Sequence, residues 1–244
     1  MTTRGDNARV VSLSGAGVFH HGQPDAWRPP ATELCLAQIS AHVERHLGKI
    51  ETVFHENVSD TVHLDVLVVP ATETFPFVRL VTSGMSDLPM SVPCEADAPR
   101  FLELMVTLPA DWKLDMQSFA HERWYWPVRM LKRLALLPHK HATWLGWGHT
   151  VPNGDPAEPY ADGVGFDGAL VISPLTVPDA FHVLDIDADK AICFMAVVPL
   201  YGEEMALKLR HGTDGLLDAF DDAQVNDIVL PGRPNAGKPR ARGR

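Results

Sequence analysis

Cysteine is scarce and scattered: the chain has 3 in 244 residues, Cys35, Cys94 and Cys193, with no CxxC pair among them. An odd count at wide spacing argues against a disulfide framework and supplies no structural zinc set, which leaves buried thiols in a reducing compartment. Long hydrophobic runs are also missing. The longest, Ala191 to Tyr201, is interrupted by Pro199 and is too short to cross a bilayer. Arg4 and Arg9 are followed by no apolar stretch, so the N-terminus does not read as a signal peptide. These absences predict a cytoplasmic chain with no membrane contact.

Positive charge is in short supply. Lys and Arg number 21 against 31 Asp and Glu, for a net charge of −10. Seven of the basic residues lie outside positions 10–232 (Arg4, Arg9, Arg233, Lys238, Arg240, Arg242 and Arg244), and only Asp6 of the acids does. The body therefore has 14 basic and 30 acidic residues, a charge of −16. Such a body would repel nucleic-acid phosphates and attract a basic partner, with salt-sensitive association; acidity for solubility alone is the plainer account.

What is present is enough apolar residue, 45%, to bury one substantial core. No low-complexity linker divides the chain, so one domain is expected over 31–232. A loosely ordered arm is expected at 1–30 and a disordered basic tail at 233–244. Leu36, Ile39, Val43 and Leu47 recur at spacings of three and four, which predicts a helix over 33–47 capped by Thr32 and stopped by Gly48. Strands are expected at 52–58 and 61–69 around a Ser59-Asp60 turn, then at 77–82 and 101–108, with Gly84 adopting positive φ after the third. Pro127 is expected in the first turn of a helix that Pro138 ends near Leu137. Later strands are expected at 167–172 and 191–200, the second central because it is almost continuously apolar. Two short helices follow, 203–211 closed by Gly212 and 214–220 capped by Thr213. The mixture predicts an α+β domain, a mixed β-sheet covered by helices.

Several strings invite chemistry. Gly232 to Lys238 spells GxxxxGK, but Pro239 stands where a phosphate-binding loop needs Ser or Thr, and a nucleotide site is not expected. Twelve histidines include the adjacent His20 and His21, the pair His139 and His141, and His63 two residues before Asp65. Glu56, His63 and Asp65 are the candidate metal ligands of an alternative reading, a metal-assisted hydrolase; a hydrogen-bonded polar strand face is the plainer account. Ser83 and Ser86 flank Gly84-Met85, yet TSGMSD lacks the GxSxG of a hydrolase elbow, so no catalytic residue is assigned. Trp112, Trp124, Trp126, Trp144 and Trp147 crowd one stretch with Tyr125; core packing is expected for Trp126 and Trp144, while Trp124 and Tyr125 fit a core or a binding surface equally.

Thr82-Ser83-Gly84-Met85-Ser86 with Leu88-Pro89-Met90, Glu103-Leu104 with Leu108-Pro109 and Trp112, Trp126-Pro127, and Gly148-His149-Thr150 occur in an order and spacing that resemble the suppressor-of-fused domain family over roughly 34–233. The resemblance implies a non-catalytic protein-binding domain without a cofactor. Its bacterial single-domain members are associated with polymorphic-toxin systems, which implies an immunity protein that occludes a basic toxin domain. Ser83, Met85, Ser86, Asp87, Trp124, Tyr125 and His149 are the expected partner contacts, taken as exposed family positions, with loop stabilisation as the rival role for each.

Overall fold

The computed structural model describes residues 10–15, 17–18, 35–55 and 64–238. In chain order its elements are β1 (Val10–Val11), β2 (Gly17–Val18), α1 (Leu36–His46), β3 (Thr52–Phe54), β4 (Asp65–Val69), β5 (Phe77–Ser83), β6 (Phe101–Pro109), α2 (Glu122–Lys140), β7 (Thr150–Pro152), β8 (Phe166–Ile172), β9 (Val183–Asp185), β10 (Ala191–Tyr201) and α3 (Gly202–Ala223). Three short 3-10 turns, at Met85–Asp87, Ser118–Ala120 and Asp179–Phe181, join them.

Eight strands form one mixed sheet in the order β3-β4-β5-β6-β10-β8-β7, with β9 also pairing β10. Among the described strands, only the neighbours β6 and β10 pair in parallel; Ile192 lies opposite Phe101 and Ala196 opposite Met105. Beyond Ala196, β10 continues against β8. The end of β6 meets another segment, with a parallel bridge between Thr107 and Ile228 and the Val229 amide donating to Thr107 O. The apolar run of β10 is central, as its composition predicts, because both faces of the sheet are covered.

Alternation along the strands divides the core in two. Val66, Leu80, Leu104, Val106 and Val171 face α2, whose Trp126, Met130, Leu131 and Leu134 pack on them. Leu67, Val81, Met105, Leu170 and Val198 face α1 and α3, through Ile39, Val43, Leu216 and Phe220. The expected α+β architecture, a mixed sheet covered by helices in one domain, is the one observed.

Helix α1 carries the expected stripe and stops at Gly48, whose φ is +121°. It begins at Leu36 without a side-chain cap; Thr32 lies outside the described residues, as does the Ser59-Asp60 turn between β3 and β4. Helix α2 differs from expectation at both ends. It starts five residues before Pro127 and runs two past Pro138. Each interior proline removes one backbone hydrogen bond, at a cost of roughly 3 kcal/mol. Burial outweighs this: Trp126 is fully buried, stacked on Tyr160 at 5.2 Å and edge-on to Trp112 at 6.1 Å. The two final helices are joined across Gly212, whose φ of 79° and ψ of 179° break the helical path where expected. Thr213 does not cap the second; its hydroxyl donates to Gly148 O at 3.3 Å.

Within the described residues, parts of both end segments contact the fold. Val10–Val11 pairs antiparallel with Gly17–Val18, and the Ser14 amide donates to Leu209 O on α3 at 3.1 Å. Arg233 to Lys238, expected in a solvated tail, lie against the start of α3 because Arg233 finds a buried carboxylate there.

Candidate functional site

The signature loop is organised from below by one carboxylate. Glu103 stands near the start of β6 with no exposed surface. Its Oε1 accepts the Gly84 amide at 3.0 Å, the Ser86 amide at 2.9 Å and the Ser86 hydroxyl at 2.6 Å; Oε2 accepts the Thr82 hydroxyl at 2.5 Å. Thr82 Oγ1 in turn accepts the Leu104 amide at 2.8 Å. Gly84 is required because its φ of +117° turns the chain so that both loop amides aim at one oxygen. Burial lifts the Glu103 carboxyl above its ordinary value, opposed by the hydrogen bonds from Ser86, Thr82 and Gly84. From the other side, His139 of α2 meets the loop, its Nε2 donating to Met85 O at 2.8 Å. Burial holds this imidazole below its usual pKa.

Ser83, Met85 and Ser86 are therefore buried, not exposed as expected of partner contacts. Ser86 has its polar atoms turned inward by Glu103. Asp87 is half-buried at the loop's end. Trp124 and Tyr125 are half-buried at the start of α2. Trp124 lies edge-on to Trp112 at 5.4 Å with Arg123 and Lys113 over its ring, and Tyr125 packs on Phe119 at 5.2 Å. His149 sits in a separate turn, 4.1 Å from the Trp144 ring, where burial and then the Lys208 charge hold its pKa down to about 4. The expected contacts are thus anchored to different elements: the loop to β6 and the end of α2, Trp124 to Trp112, and His149 to the Trp144 turn.

Of the alternative metal set, Glu56 and His63 lie outside the described residues. Asp65 is buried, and its Oδ1 is 2.8 Å from Nδ1 of the half-exposed His55. Among the described residues no three His, Cys, Asp or Glu side chains are grouped to hold a metal.

Sequence reasoning missed two buried charged clusters. Arg79, fully buried on β5, donates to Thr176 O at 3.2 Å and lies over the Phe75 ring at 4.6 Å. Asp227 beside it accepts the Leu175 amide at 2.8 Å. In the second cluster Arg233 forms a fork on Glu204, at 2.6 and 2.7 Å. That pair also explains the phosphate-loop string. The Ala236 amide donates to Glu204 Oε1 at 2.9 Å and the Gly237 amide to Asn235 Oδ1 at 3.0 Å, so amides a phosphate would need serve the protein's own oxygens. A lone GRPNAGK gives no sign of this, because the partner glutamate lies about 30 residues earlier in an amphipathic helix.

Among curated proteins no relative matches the chain. Among solved structures it is similar to a suppressor-of-fused homolog from Neisseria gonorrhoeae, at 15% identity and TM-score 0.61, over 82% of this chain and 95% of that one. It is also similar to a chain of the Sufu–Fu complex, at 14% identity and TM-score 0.56, over 86% of this chain and 93% of that one. Within the described residues no helix is long and apolar enough to cross a membrane. The family model for suppressor of fused protein matches residues 60–234, which takes in the Glu103 loop, α2, the Gly148 turn and Arg233, and the chain belongs to that family.

Proposed function

We propose that this chain is a non-catalytic protein-binding domain acting in the cytoplasm, and that its partner is a basic protein, in the finer reading a polymorphic-toxin domain that it neutralises as an immunity protein. The observation that carries the reading is the segregation of charge between the two helical layers. Helix α2, on one side of the sheet, has five basic residues (Arg123, Arg129, Lys132, Arg133, Lys140) and one acid, Glu122. The opposite layer has exposed Asp214, Asp218, Asp221 and Asp222 on α3, against Lys208 and Arg210 on the same helix, and exposed Asp179, Asp185, Asp187 and Asp189 around β9. A field polarised in this way orients a basic partner toward the α3 side and speeds encounter at low salt. Family membership supports protein binding as the class of activity, and the relative in the Sufu–Fu complex is itself seen with a protein partner. The toxin reading rests on the bacterial single-domain members that the sequence resembles.

The test is co-purification from native lysate at low ionic strength, beside a variant with Asp214, Asp218 and Asp221 changed to Lys. One basic protein, retained by the native chain, released by salt and absent from the variant, is the expected result. Equal retention by both chains would remove the charge argument, and the identity of the retained protein decides the toxin reading.

A further inference from the structure

A buried polar pocket at the start of α3 is filled by the chain's own arginine. Glu204 has no exposed surface, and the Arg233 side chain is 5% exposed. Besides a bond from Nη1 to the adjacent Pro234 O at 2.8 Å, the guanidinium is held in three ways. It forks onto both Glu204 oxygens at 2.6 and 2.7 Å, donates through Nη2 to Pro199 O at 2.8 Å, and lies over the rings of Phe166, Tyr201 and Phe220 at 5.1, 5.1 and 5.3 Å. A planar, always-charged group with a fixed fork of donors matches all three; a lysine ammonium matches the charge alone.

The segment that brings this arginine is read along its backbone too. Tyr201 Oη donates to Arg233 O at 2.9 Å, the Ala236 amide reaches Glu204 Oε1 at 2.9 Å, and the Asn235 amide group reaches Glu203 Oε2 at 2.8 Å. Gly237 passes so close that a Cβ there would lie 2.3 Å from the Glu203 carbonyl carbon. From Arg233 to Gly237 these contacts go to Phe166, Pro199, Tyr201, Glu203, Glu204 and Phe220, and no strand ladder includes the segment. It is a strap laid over the start of α3, outside the hydrogen-bond ladders of the sheet.

We propose that the Glu204 pocket is an arginine-recognition site occupied in cis, and that an arginine-bearing extended segment of a protein partner takes the same pocket when the strap lifts. The proposal rests on the reading of the chain as a binding domain for basic proteins. A pocket needed for stability alone has a simpler solution, since well-packed apolar residues commonly replace a buried ion pair without loss. Here a carboxylate, a carbonyl and three aromatic faces converge on one guanidinium, with further polar groups reading the backbone that follows it. The tether gives the strap an effective concentration of about millimolar, so an incoming segment competes against that value.

The experiment uses the full chain carrying Arg233→Ala and a blocked peptide of sequence GRPNAG, with GKPNAG as control. Isothermal titration and thermal unfolding read binding, and NMR shifts of Tyr201 and Phe220 locate it. The expected result is saturable binding of the arginine peptide to Arg233→Ala, at least about tenfold weaker binding to the native chain because of the tethered competitor, and little binding of the lysine peptide. If Arg233→Ala does not fold by itself, restoration of its folded spectrum by the arginine peptide and not by the lysine peptide is the same readout. Arg233→Lys, which keeps a cation in the slot, provides a second host for the titration. Equal behaviour of the two peptides, or no binding and no rescue, overturns the proposal. Such a failure leaves salt-dependent capture of a partner by the native chain untouched. Loss of that capture with peptide binding intact strikes the functional reading alone.

Discussion

Ser86 delivers both its hydroxyl, at 2.6 Å, and its amide, at 2.9 Å, to the same oxygen of Glu103. A loop that looks like a recognition surface in sequence is thereby fastened to the centre of the sheet. Exchange of Glu103 for Leu removes the acceptor and strands the Gly84 and Ser86 amides. A loss of at least about 2 kcal/mol is expected in urea unfolding, since each orphaned buried donor costs about 1–3 kcal/mol. Glu103→Gln keeps an acceptor and serves for the pH dependence. Burial raises the native carboxyl above its ordinary value of 4.5, so its favourable contribution is complete below that value and is lost as pH rises toward the native one. Relative to Glu103→Gln, the native chain is expected to lose stability as pH rises from 4.5; a constant difference between the two refutes it.

His149 acts in the opposite sense. Its native pKa of about 4 lies below the ordinary 6.5, so the unfolded chain takes up a proton first as pH falls. The stability linked to it is complete above 6.5 and disappears as pH falls through about 4. The imidazole NMR shifts of His149 are expected to stay flat from neutrality down to near 4, and His149→Gln is expected to have a shallower acid limb in its unfolding profile. Titration of His149 at its ordinary value would refute this.

Gly148 and Thr213 show how the Gly-His-Thr turn depends on α3. Gly148 has φ +77°, and a Cβ there would lie 2.7 Å from Thr213 Oγ1. Gly148→Ala is expected to cost about 1–3 kcal/mol through backbone strain and the clash. Adding Thr213→Ala relieves the clash and leaves the strain, so a double-mutant cycle is expected to recover part of the loss and not all of it. Full additivity would mean that the two residues do not meet.

The tryptophans separate sharply. Trp126 has no exposed surface and Trp147 is 48% exposed. Trp126→Ala is expected to cost about 3–5 kcal/mol, whereas Trp147→Ala is expected to stay within about 1 kcal/mol of the native chain. Acrylamide quenching of single-tryptophan variants checks the same contrast without relying on stability.

Much of this could be read from local sequence. The stripe of Leu36, Ile39, Val43 and Leu47 gave α1, the unbroken apolar run of Ala191 to Leu200 marked the central strand, and Gly84 and Gly212 appeared as breaks in regular backbone. Each follows from a period or a local conformational limit. The bounds of α2 were misread because Pro127 and Pro138 are breakers by local rule, and only the burial of Trp126 against Tyr160 and Trp112 overrides them. The candidate contacts could be named but not oriented. Nothing within TSGMS tells that its hydroxyls and amides turn inward, since the carboxylate that turns them comes from another strand.

The chain's sequence alone determined its family, its α+β class and the acidity of its body, because these depend on residue types, order and count. Tertiary structure decided which charges are buried and with what: Glu103 with the signature loop, Arg79 beside Asp227, Arg233 on Glu204. Burying a carboxylate or guanidinium is tolerable only where donors, acceptors and rings from several elements converge on it. That convergence is a property of the folded arrangement, so Arg233 to Lys238, which read as the start of a solvated tail, become a strap once the Glu204 pocket exists.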